Sequence, residues 1–215
     1  MNIRERATTK YLEFSKYEGC QHIAGQYAMY RILELVERYK CTSLLEIGLG
    51  IGTLASLILE NTERPITYVG TEANAFCLES LKNNLSTKSY KTLEIYENLS
   101  KVLTSDKQSY DFVIIDGKFD NFNAISNKLS EHAIIVVEGD RQEQVQIVQK
   151  HFPNSKFVHL VSAEKNHPEG AFNVDSWQGG VKVFFIHPST DQLIYWMKGK
   201  LTTKLNYKKR RKLNS

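Results

Sequence analysis

The spacing of apolar residues along this chain changes several times, and each change marks an element. Met29, Ile32, Leu33 and Val36 recur at intervals of three and four residues. That spacing sets them on one helical face, so residues 1–40 read as helical with a stripe turned to a core. The apolar runs then shorten to strand length, at 43–48, at Ile66-Thr-Tyr-Val-Gly-Thr71 and at Thr92-Leu-Glu-Ile-Tyr96. Phe112-Val-Ile-Ile115 and Ala133-Ile-Ile-Val-Val137 are apolar throughout, as strands covered on both faces are. Helical stretches fall between these runs: 53–61, 74–85 with Asn74 as its cap, 121–130, and one ending near His151. Two final strands read at 156–161 and 181–186, joined by a long segment rich in Gly, Asn and His. A connection that long predicts a lid or binding loop. Strands alternating with helices predict an α/β protein with a parallel, doubly wound, Rossmann-like sheet and helices on both faces.

The candidate chemistry gathers at the strand ends. Glu46-Ile-Gly-Leu-Gly-Ile-Gly52 links the first strand to its helix, and Glu72 closes the second strand. Glycines let the backbone approach a nucleotide-like ligand closely, and a carboxylate at the second position can accept from both hydroxyls of a ribose. Glu97-Asn98, Asp116 and Glu138-Gly-Asp140 fall at the same ends, where doubly wound sheets bind ligands. The glycines at 48, 50 and 52 do not follow the dinucleotide fingerprint, since Thr53 stands where its third glycine belongs, and no phosphate-loop Gly-Lys-Ser/Thr is present. A nicotinamide oxidoreductase is disfavoured on that spacing. Glu46 would repel a pyrophosphate but suits a ligand with an amino group, such as S-adenosylmethionine.

Composition narrows the class further. With 41% hydrophobic and 24% charged residues in 215, the chain reads as one globular domain. No apolar run reaches membrane-spanning length and no secretory signal is visible, so a cytoplasmic location is expected. Cys20, Cys41 and Cys77 are scattered without a CxxC pair, which argues for reduced thiols and against a zinc site. Residues 198–215 hold eight lysines and arginines and no acids, against +4 for the whole chain, so the remainder is net acidic. The division is thus an N-terminal helical segment 1–40, a ligand-binding domain 41–197 and a basic, solvated tail 198–215. The tail offers a contact for nucleic acid or an anionic surface.

From Glu46 to Gly52 the chain resembles the class I S-adenosylmethionine-dependent methyltransferases. Their first motif reads acidic-x-Gly-x-Gly-x-Gly, and their second is an acidic residue ending strand two, matched by Glu72. The resemblance implies a seven-stranded sheet whose last strand is antiparallel. It implies S-adenosylmethionine held by Glu46, Gly48, Leu49, Gly50, Gly52, Glu72 and Ala73, with Asn98 either near the adenine or capping a helix from Leu99. Asp111-Phe-Val-Ile-Ile-Asp-Gly-Lys-Phe-Asp-Asn-Phe122, with Gly25-Gln26 upstream, is similar to the catechol and caffeoyl-coenzyme A type O-methyltransferases over about residues 22–140. That similarity implies a catalytic Asp116 facing the transferred methyl and a Mg²⁺ ion on Asp116 and Glu138. Two positions depart from the family: strand five ends Glu138-Gly139 without the expected amide, and Phe119 stands where the family has a lysine, one residue after Lys118. Lys118, His22 and His167 are candidate bases, and Asp140 and Asp175 are further candidates to face the substrate.

The implied activity is methylation of a small-molecule hydroxyl on a sugar, phenol or secondary metabolite. No Asn/Asp-Pro-Pro-aromatic segment follows strand four, and no cysteine lies near strands four or five, which disfavours amino-group and cytosine C5 methylation. An RNA methyltransferase using the basic tail and a non-catalytic cofactor-binding domain are the alternatives, and a homodimer is left open.

Overall fold

The computed structural model describes residues 1–105, 109–119 and 122–213. Helix α1 (Ile3–Phe14) starts at a capping box in which the Asn2 side chain accepts from the Glu5 N–H while the Glu5 carboxylate accepts from the Asn2 N–H, both at 2.9 Å. A short 3-10 turn (Cys20–His22) leads into α2 (Gln26–Arg38). There follow β1 (Ser43–Ile47), α3 (Thr53–Asn61), β2 (Thr67–Thr71), α4 (Ala75–Asn84), α5 (Thr87–Thr92) and β3 (Leu93–Tyr96). The second half contains α6 (Leu99–Ser105), β4 (Tyr110–Ile115), α7 (Asn123–Ser126), β5 (Leu129–Glu138), α8 (Gln142–His151), β6 (Lys156–Val161), β7 (Gly180–Phe185) and α9 (Thr190–Leu213).

The seven strands form one sheet in the order β3-β2-β1-β4-β5-β7-β6, parallel except for β7, which runs antiparallel to both neighbours. Alternate residues of the central strands feed two cores. Leu44, Ile114, Val136 and Val183 pack with Ile32, Leu33 and Leu54 on one face, and Leu45, Val113, Ile135 and Phe184 pack with Val102 and Val148 on the other. Burial on both faces is why those strands are apolar throughout.

Two expectations need correction. The helix expected over 121–130 is confined to α7, and β5 begins at Leu129, in register with Tyr110. The Tyr110 N–H donates to the Lys128 carbonyl at 2.7 Å, so sheet pairing claims the end of that stretch. The solvated tail is helical instead: α9 runs unbroken through 197/198 to Leu213 and lies along β6, the free edge of the sheet. Trp196 Nε1, Thr203 Oγ1 and Asn206 Nδ2 donate to the carbonyls of Phe157, His159 and Val161 at 2.8, 2.9 and 2.7 Å. These alternate carbonyls point outward, and side chains of α9 cover an edge that would otherwise invite another strand. Truncation after Met197 removes two of these bonds and the Arg210 contact to Ser162. At about 1 kcal/mol per hydrogen bond and roughly 2–4 °C per kcal/mol, the melting temperature is expected to fall by about 6 °C or more. An unchanged melting curve would show that the segment is dispensable.

Candidate functional site

The strand order reverses between β1 and β4, and a crevice of about 660 Å³ opens there at the carboxyl ends. A smaller lobe of about 280 Å³ adjoins it, sharing His22, Gly50 and Asp116 as walls. The glycine turn shapes both. A Cβ on Gly48 would sit 2.8 Å from the Cα of Gly117, so the β1 and β4 loops can meet only because both positions lack side chains. Gly50 is the opposite case, with φ of +53° and no atom within 4 Å of where its Cβ would be. Its bare backbone therefore borders open space, a cradle for a ligand. Gly52 faces away, toward Leu81 and Leu85, and Leu49 is buried under the turn, its N–H on the Thr71 carbonyl.

Two carboxylates flank this cradle. Glu72 accepts from the N–H groups of Gly50, Ala73 and Asn74 at 2.8–2.9 Å. Oε1 takes two of these and Oε2 one, so Oε2 retains a lone pair for a further donor. Glu46 is only 1% exposed and faces the smaller lobe. The Tyr68 hydroxyl donates to it, and no described cation pairs with it. Burial, reinforced by the charges of Asp116 and Glu72, raises its pKa well above the usual carboxylate range against the opposing Tyr68 bond. A buried carboxylate without a counter-ion, beside an open cradle, suits a ligand cation. Thr53 Oγ1, in the first turn of α3, is buried without a partner on the same wall. These features fit S-adenosylmethionine, which carries both an amino group and a ribose.

A third cluster joins β4 to β5. Arg141 Nη2 donates to Asp116 Oδ1 at 2.9 Å and also to the Asp116 carbonyl. Glu138 lies within hydrogen-bonding reach of Asp116 and accepts from the Gly25 N–H at 3.2 Å. Burial pushes Glu138 up to about 7, and the neighbouring Asp116 charge adds to the shift. Burial also raises Asp116, with the Arg141 guanidinium opposing. The two carboxyls thus lie against each other, with the guanidinium on the Asp116 side. This donor set does not suit Mg²⁺. The Arg141 guanidinium already occupies Asp116, burial opposes a charge on Glu138, and among the described residues no group of three acidic, histidine or cysteine side chains is placed to hold a metal.

No protein-family model matches the sequence, and no curated protein matches it. Solved structures do share its architecture. The O-methyltransferase TomG from Streptomyces achromogenes, in complex with SAM, is 12% identical with a TM-score of 0.59, over 85% of this chain and 89% of that one. The SAH-bound methyltransferase PaMTH1 from Podospora anserina is 14% identical with a TM-score of 0.58, covering 84% and 87%. An O-methyltransferase from Bacillus cereus in complex with SAH is 12% identical with a TM-score of 0.55, covering 85% and 90%. The chain has the Rossmann-like fold of these methyltransferases.

The expected residues separate by position. Glu46, Gly48, Leu49, Gly50, Glu72, Ala73, Asn98, Asp116, Lys118 and His22 line the crevice or its lobe. Asn98 Oδ1 also caps α6, accepting from the Lys101 N–H at 3.0 Å. Glu138 and Asp140 line a neighbouring cavity. His167 and Asp175 lie in the loop before β7 and line neither space; the His167 ring accepts from the Glu169 N–H, and the Asp175 carbonyl from Lys165. Asp120 and Asn121 lie outside the described residues. Arg141 was missed, although a basic residue three positions after an acidic strand end that lacks its amide partner is a readable sign of a substituted counter-ion.

Proposed function

We propose that the protein is an S-adenosylmethionine-dependent methyltransferase acting on a small-molecule hydroxyl. The observation that carries this reading is the uncompensated Glu46 carboxylate beside the open cradle at Gly50, with Glu72 across the turn. When bound, S-adenosylmethionine supplies a methyl group on a positive sulfur and leaves as a neutral thioether. Glu46 receives the amino group and Glu72 the ribose hydroxyls. Glu138 takes the proton of the acceptor hydroxyl as its oxygen forms the new bond to carbon, since its pKa of about 7 suits a base near neutrality. Arg141 pairs with Asp116 and opposes the rise that burial imposes on its pKa, which positions the carboxyl beside Glu138. Lys118 is exposed at the crevice mouth and has no described hydrogen bond to Asp116 or Glu138, so it is not assigned the proton.

The basic segment does not favour the RNA reading. Arg210 turns inward onto the Ser162 and Gly179 carbonyls, which takes one basic group of the cluster away from solvent. No helix among the described residues is long and apolar enough to cross a membrane. Incubation with methyl-labelled S-adenosylmethionine and a panel of phenols, sugars and hydroxy acids should label at least one acceptor, and removing divalent cations by chelation should leave the rate unchanged. Label found only in RNA, or in no acceptor although the cofactor binds, would replace this reading with one of its alternatives.

A further inference from the structure

A second cavity, of about 600 Å³, opens on the same rim of the sheet beyond Glu138. Ile23 belongs to its wall and to the smaller lobe of the crevice, and the Glu138–Asp116 contact links the two spaces. The long loop before β7 forms one side. That loop is tied down: Ala171 N–H donates to Ser15 Oγ at 3.0 Å, and Gln178 Nε2 donates to Gln26 Oε1 at 3.3 Å. Helix α9 supplies the far side through Tyr207 and Arg210.

Three basic groups from three elements meet in this cavity: Lys182 of β7, His159 of β6 and Arg210 of α9. Lys182 and His159 are partners in the β6–β7 register, so both side chains leave the sheet on one face. Lys182 is only 6% exposed and uses one of its three N–H groups on the Gly139 carbonyl. Arg210 donates Nε to Ser162 O at 2.6 Å and Nη2 to Gly179 O at 3.2 Å, and its guanidinium lies 5.1 Å from the Trp177 ring centroid. Backbone and ring therefore fix the guanidinium while leaving part of its fork unused. None of the three forms an ion pair with a described carboxylate. The two acids on the wall, Glu138 and Asp140, act on Lys182 through their charges but form no ion pair with it. Glu138 is engaged with Gly25 and Asp116, and Asp140 is exposed, bonded only to Gln142 at 3.5 Å. Burial lowers the pKa of all three bases, Lys182 and Arg210 lower His159 further, and Asp140 opposes the shift at His159 and Lys182, so a bound anion would add to an attraction the wall supplies only in part.

We infer that this cavity holds the methyl acceptor by an oxyanion group, a phosphate, sulfate or carboxylate, set between Lys182 and Arg210, with the acceptor hydroxyl presented to Glu138. This deepens the methyltransferase reading by naming the substrate class: a hydroxylated small molecule bearing an acidic group. The charge fixes the molecule at one end, and the loop and α9 close around its body.

Calorimetric titration of the full chain with phenyl phosphate, phenyl sulfate, benzoate and neutral phenol tests the inference without turnover. At least one anionic probe is expected to bind at least about tenfold more tightly than phenol, as a charge-assisted hydrogen bond allows. Lys182→Met and Arg210→Gln should each remove most of that preference, and Lys182→Arg should retain it. Equal binding of all four probes, or a preference that survives both charge removals, would overturn it. S-adenosylhomocysteine affinity, measured on the same samples, is the folding control. Its absence in the wild type would count against the methyltransferase reading alone and leave the anion site to stand or fall on its own titration.

Discussion

Glu46→Gln is expected to produce a protein that is more stable and binds its cofactor less well. The two effects share one cause. The folded-state pKa of Glu46 is raised, so the folded chain holds this proton to higher pH than the unfolded chain does. Stability contributed here is full below the ordinary carboxylate value of 4.5 and is lost as pH rises through the folded value. Glutamine keeps the Tyr68 contact and carries no charge to desolvate, so unfolding at neutral pH should need more denaturant. The ligand's amino group, however, loses its counter-ion. A hydrogen bond to a charged group contributes about 1.5–3 kcal/mol, which corresponds to roughly 10–100-fold weaker binding of S-adenosylhomocysteine. Paired denaturation and calorimetry check both signs. Unaltered affinity would remove Glu46 from the binding site even if the stability gain appeared.

Glu138→Gln carries the second large effect. Removing a general base is expected to lower kcat by about 10²–10⁴-fold with any accepted substrate. The wild-type rate should rise with pH through an inflection near 7, where Glu138 loses its proton, and that inflection should vanish in the variant. Stability runs the other way. Because the folded pKa is raised from 4.5 to about 7, the wild type should lose about 3 kcal/mol across that window as pH increases, and the variant should not. A merely structural carboxylate would show the stability change without the altered rate profile. Cofactor affinity should change little, since Glu138 faces the second cavity rather than the cradle.

Much of this architecture was legible because the signals are local. The Phe112–Ile115 and Ala133–Val137 runs could only be strands covered on both faces, and Glu46, Gly48, Gly50 and Glu72 lie within 27 residues of one another around a single βα turn. What escaped depends on distant partners. Nothing in 198–215 signals that Thr203 and Asn206 would find the carbonyls of β6, so a basic run read as a tail became an edge-covering helix. Likewise, the 121–130 stretch ended early because Leu129 has a ladder partner at Tyr110. Arg141 is adjacent to the motif in sequence, but its bond to Asp116 spans 25 positions. The basic trio of Lys182, His159 and Arg210 comes from two strands and a helix, and only the antiparallel pairing of β6 with β7 brings the first two onto one face.

The most direct measurement is a calorimetric titration of the protein with S-adenosylhomocysteine and, separately, with NAD⁺. The structure predicts saturable one-to-one binding of S-adenosylhomocysteine and no binding of NAD⁺. Failure of S-adenosylhomocysteine to bind, or comparable binding of NAD⁺ at the same crevice, would contradict it.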